Sequence, residues 1–512
     1  MTDPRGKVFD WIEVGIAFNG ATSLFALPLY LHLYASPGAL ELVRLAFLVQ
    51  ILPTVVFVVL GRALSSRPGL AFLRRVYWLG LAVAAFASFA RLVQVQYALG
   101  LPGIPEAAKL ALPVLILALL VVLAVARTDW LARGFGRVGP IFALVSAVFI
   151  GQLLMSGSLH ASPPLTVPRR DDSVFLFVFD ELGRDVLLRD GEIDPTRFPN
   201  LAALASDGIS IGDATSNYSD TCQSIPSMLT GRSLPVGYCN DFFLVGQEPT
   251  LLSRLGSEYE LHLYGEYLRD CKDQSAYVCR GVPYLIASRP ELKIAQHLLP
   301  LGLRVGPVAG MLGETWGAYT LPLWNTFMED VRRGPVAGRA YFMHLLLPHA
   351  PYVFDRDGSS LRSPYRYFRG DDNDDLAYKN YERQIMFVDS LFGSFVAELR
   401  QRDVYSKATI VITGDHGPAL LPPPGPVLQG VNIQSPDVPL LIKSPRLAPR
   451  RISADDQHID YAATVLDVLG LAPTWTLEGR SAIREGIPPR PKSFFSGGHI
   501  YRRDASGTWR SD

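Results

Sequence analysis

Apolar positions fall into two patterns along the chain. Over the first 157 residues they run almost unbroken in five stretches, 11–34, 41–60, 75–99, 108–126 and 138–156. Each is close to the ~20 residues a helix needs to cross a ~30 Å hydrocarbon core. From Ser173 onward the runs are short: Val174–Phe179, Tyr341–Leu347 and Ala408–Thr413. A short, continuously apolar run predicts a strand buried on both faces of a parallel sheet. Between the last two, residues 378–400 set Tyr381, Ile385, Val388, Phe392, Phe395 and Leu399 at three- and four-residue steps, the apolar face of a helix. Residues 158–172 follow neither pattern; their prolines and small polar residues read as a linker. The pattern predicts an N-terminal five-helix transmembrane bundle over 1–157. It predicts an α/β domain with a mostly parallel central sheet over 173–512.

Charge placement gives this arrangement a direction. Arg62, Arg67, Arg74 and Arg75 lie in one loop of the bundle, and Arg127, Arg133 and Arg137 in another. The loops near 35–40 and 100–107 carry no Lys or Arg. The positive-inside rule makes the Arg-rich loops cytoplasmic, so an odd number of spans delivers everything after residue 157 to the outside. The expected location is the inner membrane, with the second domain on the periplasmic side. All four cysteines, Cys222, Cys239, Cys271 and Cys279, fall in that domain, and an even count in an oxidising compartment points to disulfides. Short spacing favours 222–239 and 271–279; four free thiols are the alternative. Hydrophobic residues make up 49% of the chain and mean hydropathy is +0.19, an excess concentrated in the first 157 residues. Formal net charge is zero, so no global basic field points to nucleic acid.

Candidate chemistry gathers where the short runs end. Asp180 and Glu181 follow the first run, His349 comes just after the second, and Asp415 and His416 follow the third. In parallel sheets, ligands sit beyond the carboxyl ends of the strands, so these residues are expected to converge. Carboxylates and imidazoles suit Zn²⁺ or Mn²⁺, and such an ion activates a hydroxyl by lowering its pKa. Thr221, in Thr-Cys-Gln-Ser-Ile-Pro-Ser-Met (221–228), supplies the hydroxyl. A helix is expected to begin near Ser224 with Pro226 in its first turn, where proline is tolerated. His349 is read as a phosphate-binding or proton-donating residue, with a structural histidine as the alternative. Asp180 is either a second ligand or a residue that orients Glu181. His344, inside a strand run, reads as structural, as does His458 ahead of a helix-like run. Asp371-Asp372-Asn373-Asp374-Asp375 reads as a solvated loop.

These motifs resemble those of the alkaline phosphatase and sulfatase superfamily over roughly 173–475. Asp180-Glu181-Leu182-Gly183 is similar to its first metal motif. Leu229-Thr230-Gly231-Arg232 resembles the end of its nucleophile motif, and Gly414-Asp415-His416-Gly417 its later metal motif. Counting back from Thr230-Gly231-Arg232 puts Thr221 at the nucleophile position. Cys222 does not meet the formylglycine pattern, which wants Pro or Ala two residues on and Arg four on, where Ser224 and Pro226 stand. A threonine nucleophile resembles the membrane-anchored phosphoethanolamine and phosphoglycerol transferases. The resemblance implies a sulfatase-like fold and a divalent metal held by Asp180, Glu181, Thr221, Asp415 and His416. It also implies a phospho-threonine intermediate at Thr221. The donor would be a membrane phospholipid and the acceptor an envelope lipid or glycan. Pro418 stands where that branch has an acidic residue, and Leu428-Gln429-Gly430 where it has a histidine. Headgroup and acceptor stay open. So do two other readings, a phosphate- or sulfate-ester hydrolase and an inactive membrane regulator of the same architecture.

Overall fold

The computed structural model describes residues 170–234, 249–265, 276–281, 307–350, 352–359, 361, 374–418, 435–484, 490–503 and 509–511, together with 51–65 and positions 15 and 73. The chain divides into two compact units, one of residues 1–161 with 286–301, the other of 162–285 with 302–512. In the first unit, helix α1 (Leu52–Ser65) is described. Its apolar side chains include Val55, Val56 and Val59, all exposed, and Phe57, buried. Among the described residues no helix is long and apolar enough to cross a membrane. The expected spans at 75–99, 108–126 and 138–156 lie outside the described residues. The span at 11–34 does too, apart from residue 15, and 41–60 is described only from residue 51.

The second unit is built on an eight-stranded sheet. In chain order the strands are β1 (Ser173–Phe179), β2 (Ile209–Thr215), β3 (Glu260–Gly265), β4 (Ala276–Gly281), β5 (Arg339–Leu345), β6 (Ala408–Gly414), β7 (Leu440–Lys443) and β8 (Arg450–Gln457). Their spatial order is β8-β2-β7-β6-β1-β5-β3-β4. All pair in parallel except β7, which runs antiparallel to both β2 and β6. The three apolar runs read from the sequence are β1, β5 and β6, and they lie side by side in the middle.

Strand alternation explains why these runs are unbroken. In β1, Phe175, Phe177 and Phe179 enter one core and Val174, Leu176 and Val178 the other. The aromatic face packs under helices α5 (Pro307–Arg333) and α6 (Asp374–Gln401). Phe177 meets Phe395 edge-on at 5.0 Å between ring centroids, and Phe175 stacks on Tyr341 at 4.8 Å. All six residues of the predicted helix stripe, from Tyr381 to Leu399, are buried. The aliphatic face packs against α3 (Thr221–Thr230), α4 (Leu251–Gly256) and α7 (Tyr461–Leu469). Helix α2 (Pro199–Ser206) closes the aromatic side, its Asn200 and Leu201 amides donating to the buried Asp389 carboxylate of α6. A second, three-stranded sheet of β9 (Lys492–Ser496), β10 (His499–Arg503) and β11 (Trp509–Ser511) ends the chain.

Helix α3 corrects one expectation. It begins at Thr221, three residues before Ser224, with Asp220 as an extended N-cap, so Pro226 lies inside it rather than in its first turn. Gly231 ends the helix in the left-handed region, φ 65°, which suits glycine. Cys222 is disulfide-bonded, against the free-thiol alternative for this residue. The pairing of Cys239 and Cys271 lies outside the described residues.

Candidate active site

Strand register brings the acidic residues together. Phe179 of β1 sits opposite Gly414 of β6 on one side and Leu345 of β5 on the other. The next residue of β1, Asp180, and the next of β6, Asp415, therefore leave the sheet as neighbours. Asp180 remains tied to β5, its amide donating to the Leu345 carbonyl at 3.0 Å. The two turns approach very closely: a Cβ on Gly414 would stand 2.3 Å from the Leu182 carbonyl oxygen. Only glycine permits this, which explains the Gly that precedes Asp415.

The turn after β1 is held against its own preference. Glu181 has φ 61°, a left-handed conformation uncommon for a residue with a side chain. Three bonds hold it there. The Glu181 amide donates to Asp415 Oδ1 at 3.0 Å. The Tyr381 hydroxyl donates to the Glu181 carbonyl at 2.6 Å and accepts from the Gly183 amide at 2.9 Å. Tyr381 is fully buried, and burial pushes its hydroxyl well above the ordinary value, so it stays protonated.

Thr221 comes to the same place from the other face of the sheet, as the first residue of α3. Its hydroxyl donates to Asp415 Oδ2 at 2.8 Å and lies 3.4 Å from His416 Nε2. The helix N-terminus adds a partial positive charge beside it, favourable to an anionic group. Asp415 is fully buried. Burial opposes its ionisation, yet His416, His344, the Glu181 amide and the Thr221 hydroxyl together hold it below the ordinary carboxylate value.

A cation fits this donor set. Two ligands at the ~2.1 Å typical of Zn²⁺ in tetrahedral geometry stand about 3.4 Å from each other. His344 Nε2 lies 3.6 Å from Asp180 Oδ2, and His416 Nε2 lies 3.3 Å from Asp415 Oδ2. Donor atoms of Asp180, His344 and Asp415 all lie within 4.8 Å of one another, and all three residues are buried. The Glu181 carboxylate is not in that group. Its Oε1 faces His349 Nε2 at 3.7 Å, and His349 is the more open of the two, with 36% of its side chain exposed. Gln384 of α6 braces the His349 turn, donating to the Pro348 and His349 carbonyls and accepting from the Val353 and Phe354 amides.

The expected residues thus fall into two linked groups. Asp180 and Asp415 bring donor atoms within 4.8 Å of each other, Thr221 Oγ1 and His416 Nε2 stand 2.8 and 3.3 Å from Asp415 Oδ2, and Glu181 with His349 forms a rim beside them. His344 belongs to the first group. A strand run buried on both faces gave no sign of that. One clue was available, since a histidine next to the last position of a central parallel strand is placed to reach the carboxyl edge. His458 is buried behind the site, against Ser224 of α3.

The family comparison agrees with the fold. The Sulfatase family model matches residues 173–471. Among solved structures, a phosphonate monoester hydrolase from Silicibacter pomeroyi is 18% identical, covers 65% of this chain and 85% of its own, and superposes with a TM-score of 0.47. The phosphonate monoester hydrolase of Agrobacterium radiobacter is 15% identical, with 65% and 86% covered and a TM-score of 0.42. An alkaline phosphatase superfamily protein from Vibrio parahaemolyticus is 15% identical, with 67% and 78% covered and a TM-score of 0.41. No curated protein matches the sequence.

Proposed function

We propose, from the premise that this chain belongs to the sulfatase family, that it is a phosphotransferase working through a phospho-threonine at Thr221. The observation that carries the reading is the Thr221 hydroxyl at a helix N-terminus, bonded to the buried Asp415 carboxylate at 2.8 Å. Sulfatase chemistry needs a formylglycine, and the segment around Cys222 lacks the residues that direct its formation. Sulfatase-family enzymes use divalent metals; Asp180, Asp415, His344 and His416 would hold the ion here, with Glu181 at its edge. Bound there, Zn²⁺ or Mn²⁺ supplies charge that acidifies a hydroxyl and offsets the negative phosphate.

The chain's own residues supply the rest. Thr221 Oγ1 attacks phosphorus as its proton passes to Asp415 Oδ2. The bond from phosphorus to the glycerol oxygen of a membrane phospholipid breaks, and His349, at the open rim, gives that oxygen a proton. Diacylglycerol leaves, with the headgroup phosphate carried on Thr221. In the second half His349 takes a proton from an acceptor hydroxyl on an envelope lipid or glycan. That oxygen bonds to phosphorus, the Thr221 Oγ1–phosphorus bond breaks, and Thr221 recovers its proton from Asp415. A bundle of five spans over 1–157, joined by the linker 158–172, would keep the 173–512 domain beside its donor on the periplasmic side of the inner membrane.

Full-length protein in vesicles holding phosphatidylethanolamine or phosphatidylglycerol, with Zn²⁺ or Mn²⁺, is expected to release diacylglycerol. Thr221→Ala is expected to lower that rate by at least ~10³-fold. Equal rates for wild type and Thr221→Ala would remove Thr221 from the mechanism. Release of the headgroup to water, independent of any acceptor, would identify an ester hydrolase with the same site.

A further inference from the structure

Helix α3 grips Asp415 at two points. Thr221 bonds its carboxylate, and one turn later Ser224 Oγ donates to its backbone carbonyl at 2.5 Å. Ser224 has one proton, and that bond uses it. Of its other contacts, Ser216 Oγ at 3.3 Å gives its own proton to the Tyr218 carbonyl, and toward His458 Nδ1 at 2.9 Å Ser224 must therefore accept, which makes His458 the neutral tautomer carrying hydrogen on Nδ1. His458 and Ser224 are both buried, and His458 Nε2 has no hydrogen-bond partner among the described residues. The ring is anchored from behind. His458 opens the short helical turn 458–460, where the Ile459 amide donates to Asn217 Oδ1 and the Gln457 amide to Asp460 Oδ2. Three segments far apart in sequence thus meet in one line: His458 to Ser224 to the peptide of Asp415.

We infer that His458 is a positioning residue, which through Ser224 fixes the Asp415 peptide and holds the Thr221–Asp415 spacing while the headgroup is on the threonine. The inference rests on the phospho-threonine reading above. Its logic is a count of protons. In the free protein two bonds tie α3 to Asp415. Once Thr221 Oγ1 carries phosphorus, its proton is on Asp415 Oδ2 and only an ester oxygen, a weaker acceptor, is left facing it, so this tie is weakened. The Ser224 bond remains, and it points correctly only if a donor occupies the other side of Ser224 Oγ. Loss of that donor frees the hydroxyl to rotate away from the Asp415 carbonyl. The consequence falls on the reacting geometry, where small displacements are costly, rather than on substrate capture.

Side-chain isosteres separate this role from simple packing. An asparagine amide nitrogen falls near the place of histidine Nδ1, and a glutamine amide nitrogen near that of Nε2. Full-length His458→Asn, His458→Gln and Ser224→Ala are compared with wild type for kcat and KM on a chromogenic phosphodiester. Zn²⁺ affinity by chelator competition and Tm are measured alongside. The expected result is a kcat loss of at least ~10-fold for His458→Gln and Ser224→Ala with KM within about twofold. His458→Asn should stay within about threefold of wild-type kcat, although both His458 variants lose Tm. Equal kcat losses in His458→Asn and His458→Gln, in step with Tm, would reduce His458 to a packing residue and overturn the inference. If wild type binds Zn²⁺ but turns over no phosphodiester, the phosphotransfer reading fails. Zn²⁺ affinity then decides the positioning role: weaker binding in His458→Gln than in His458→Asn upholds it, and equal binding overturns it. Wild type with neither activity nor Zn²⁺ binding overturns both.

Discussion

A histidine–carboxylate cluster lies beside each end of strand β5, and the two are neutralised differently. At the start of the strand, Arg339 pairs with Glu260 at 2.7 Å, and the same carboxylate accepts from His262 at 2.8 Å. Five residues on, about 17 Å along the strand, His344 faces Asp180 at 3.6 Å, while Asp415 has histidines, amides and a hydroxyl around it. The first cluster carries its own permanent cation. At the second, the side chain facing Asp180 is an imidazole, and burial holds His344 down to about 4, so that ring is neutral at pH 7. A buried carboxylate facing a neutral imidazole makes a ready binding place for a divalent ion. A part-buried carboxylate facing arginine makes a strut.

Mutation should therefore separate the two ends. Asp415→Asn removes the acceptor of the Thr221 proton and one metal donor. Turnover and Zn²⁺ affinity are each expected to fall by at least ~10²-fold, with the Tm of the metal-free chain changing less than in the next variant. Arg339→Met leaves the part-buried Glu260 without its cation and is expected to cost about 2 kcal/mol of stability, read from urea unfolding, while Zn²⁺ affinity stays within about twofold. A metal defect in Arg339→Met with no loss of stability would break the distinction. Tyr381→Phe acts on the strained turn at Glu181, where two backbone groups lose their partner. It is expected to cost about 1–3 kcal/mol and to lower kcat about tenfold. A variant that matches wild type in both would show the turn to be held without the hydroxyl.

The remaining effect is a pH dependence. Burial also holds His458 down to about 4, against 6.5 for an ordinary histidine. As pH falls from about 6.5 the unfolded chain gains a proton on His458 that the folded chain refuses until about 4. The folded state therefore loses stability through that window and is unaffected above it. Wild type should lose stability relative to His458→Asn between pH 6.5 and 4.5. A difference that is flat or of opposite sign would contradict the buried neutral ring.

Much of this architecture was written in short-range pattern. Val174–Phe179 and Ala408–Thr413 read as doubly buried strands because each alternate residue feeds a different core. The stripe from Tyr381 to Leu399 read as a helix because one face is apolar. Asp180 and Asp415 were legible as partners because both follow such strands. What was hidden depends on distance or on override. His344 looked like any strand residue, since a run buried on both faces does not say which position ends at the site. Pro226 suggested a helix start at Ser224, but the Asp220 cap and the packing of Ile225 and Met228 carry the helix back to Thr221. The Ser224–His458 bond joins residues 234 apart, which no local pattern records. The left-handed Glu181 is imposed by Tyr381 and Asp415, not by its own preference.

The most direct measurement is on Thr221 itself. Full-length protein is mixed with headgroup-labelled phospholipid and Zn²⁺ or Mn²⁺, quenched in acid and digested, and the peptide spanning residues 221–232 is sequenced by mass spectrometry. The expected result is a labelled phosphoryl headgroup on Thr221 that disappears on adding acceptor and is missing from Asp415→Asn. Diacylglycerol release with Thr221 unmodified at every time point would contradict the account.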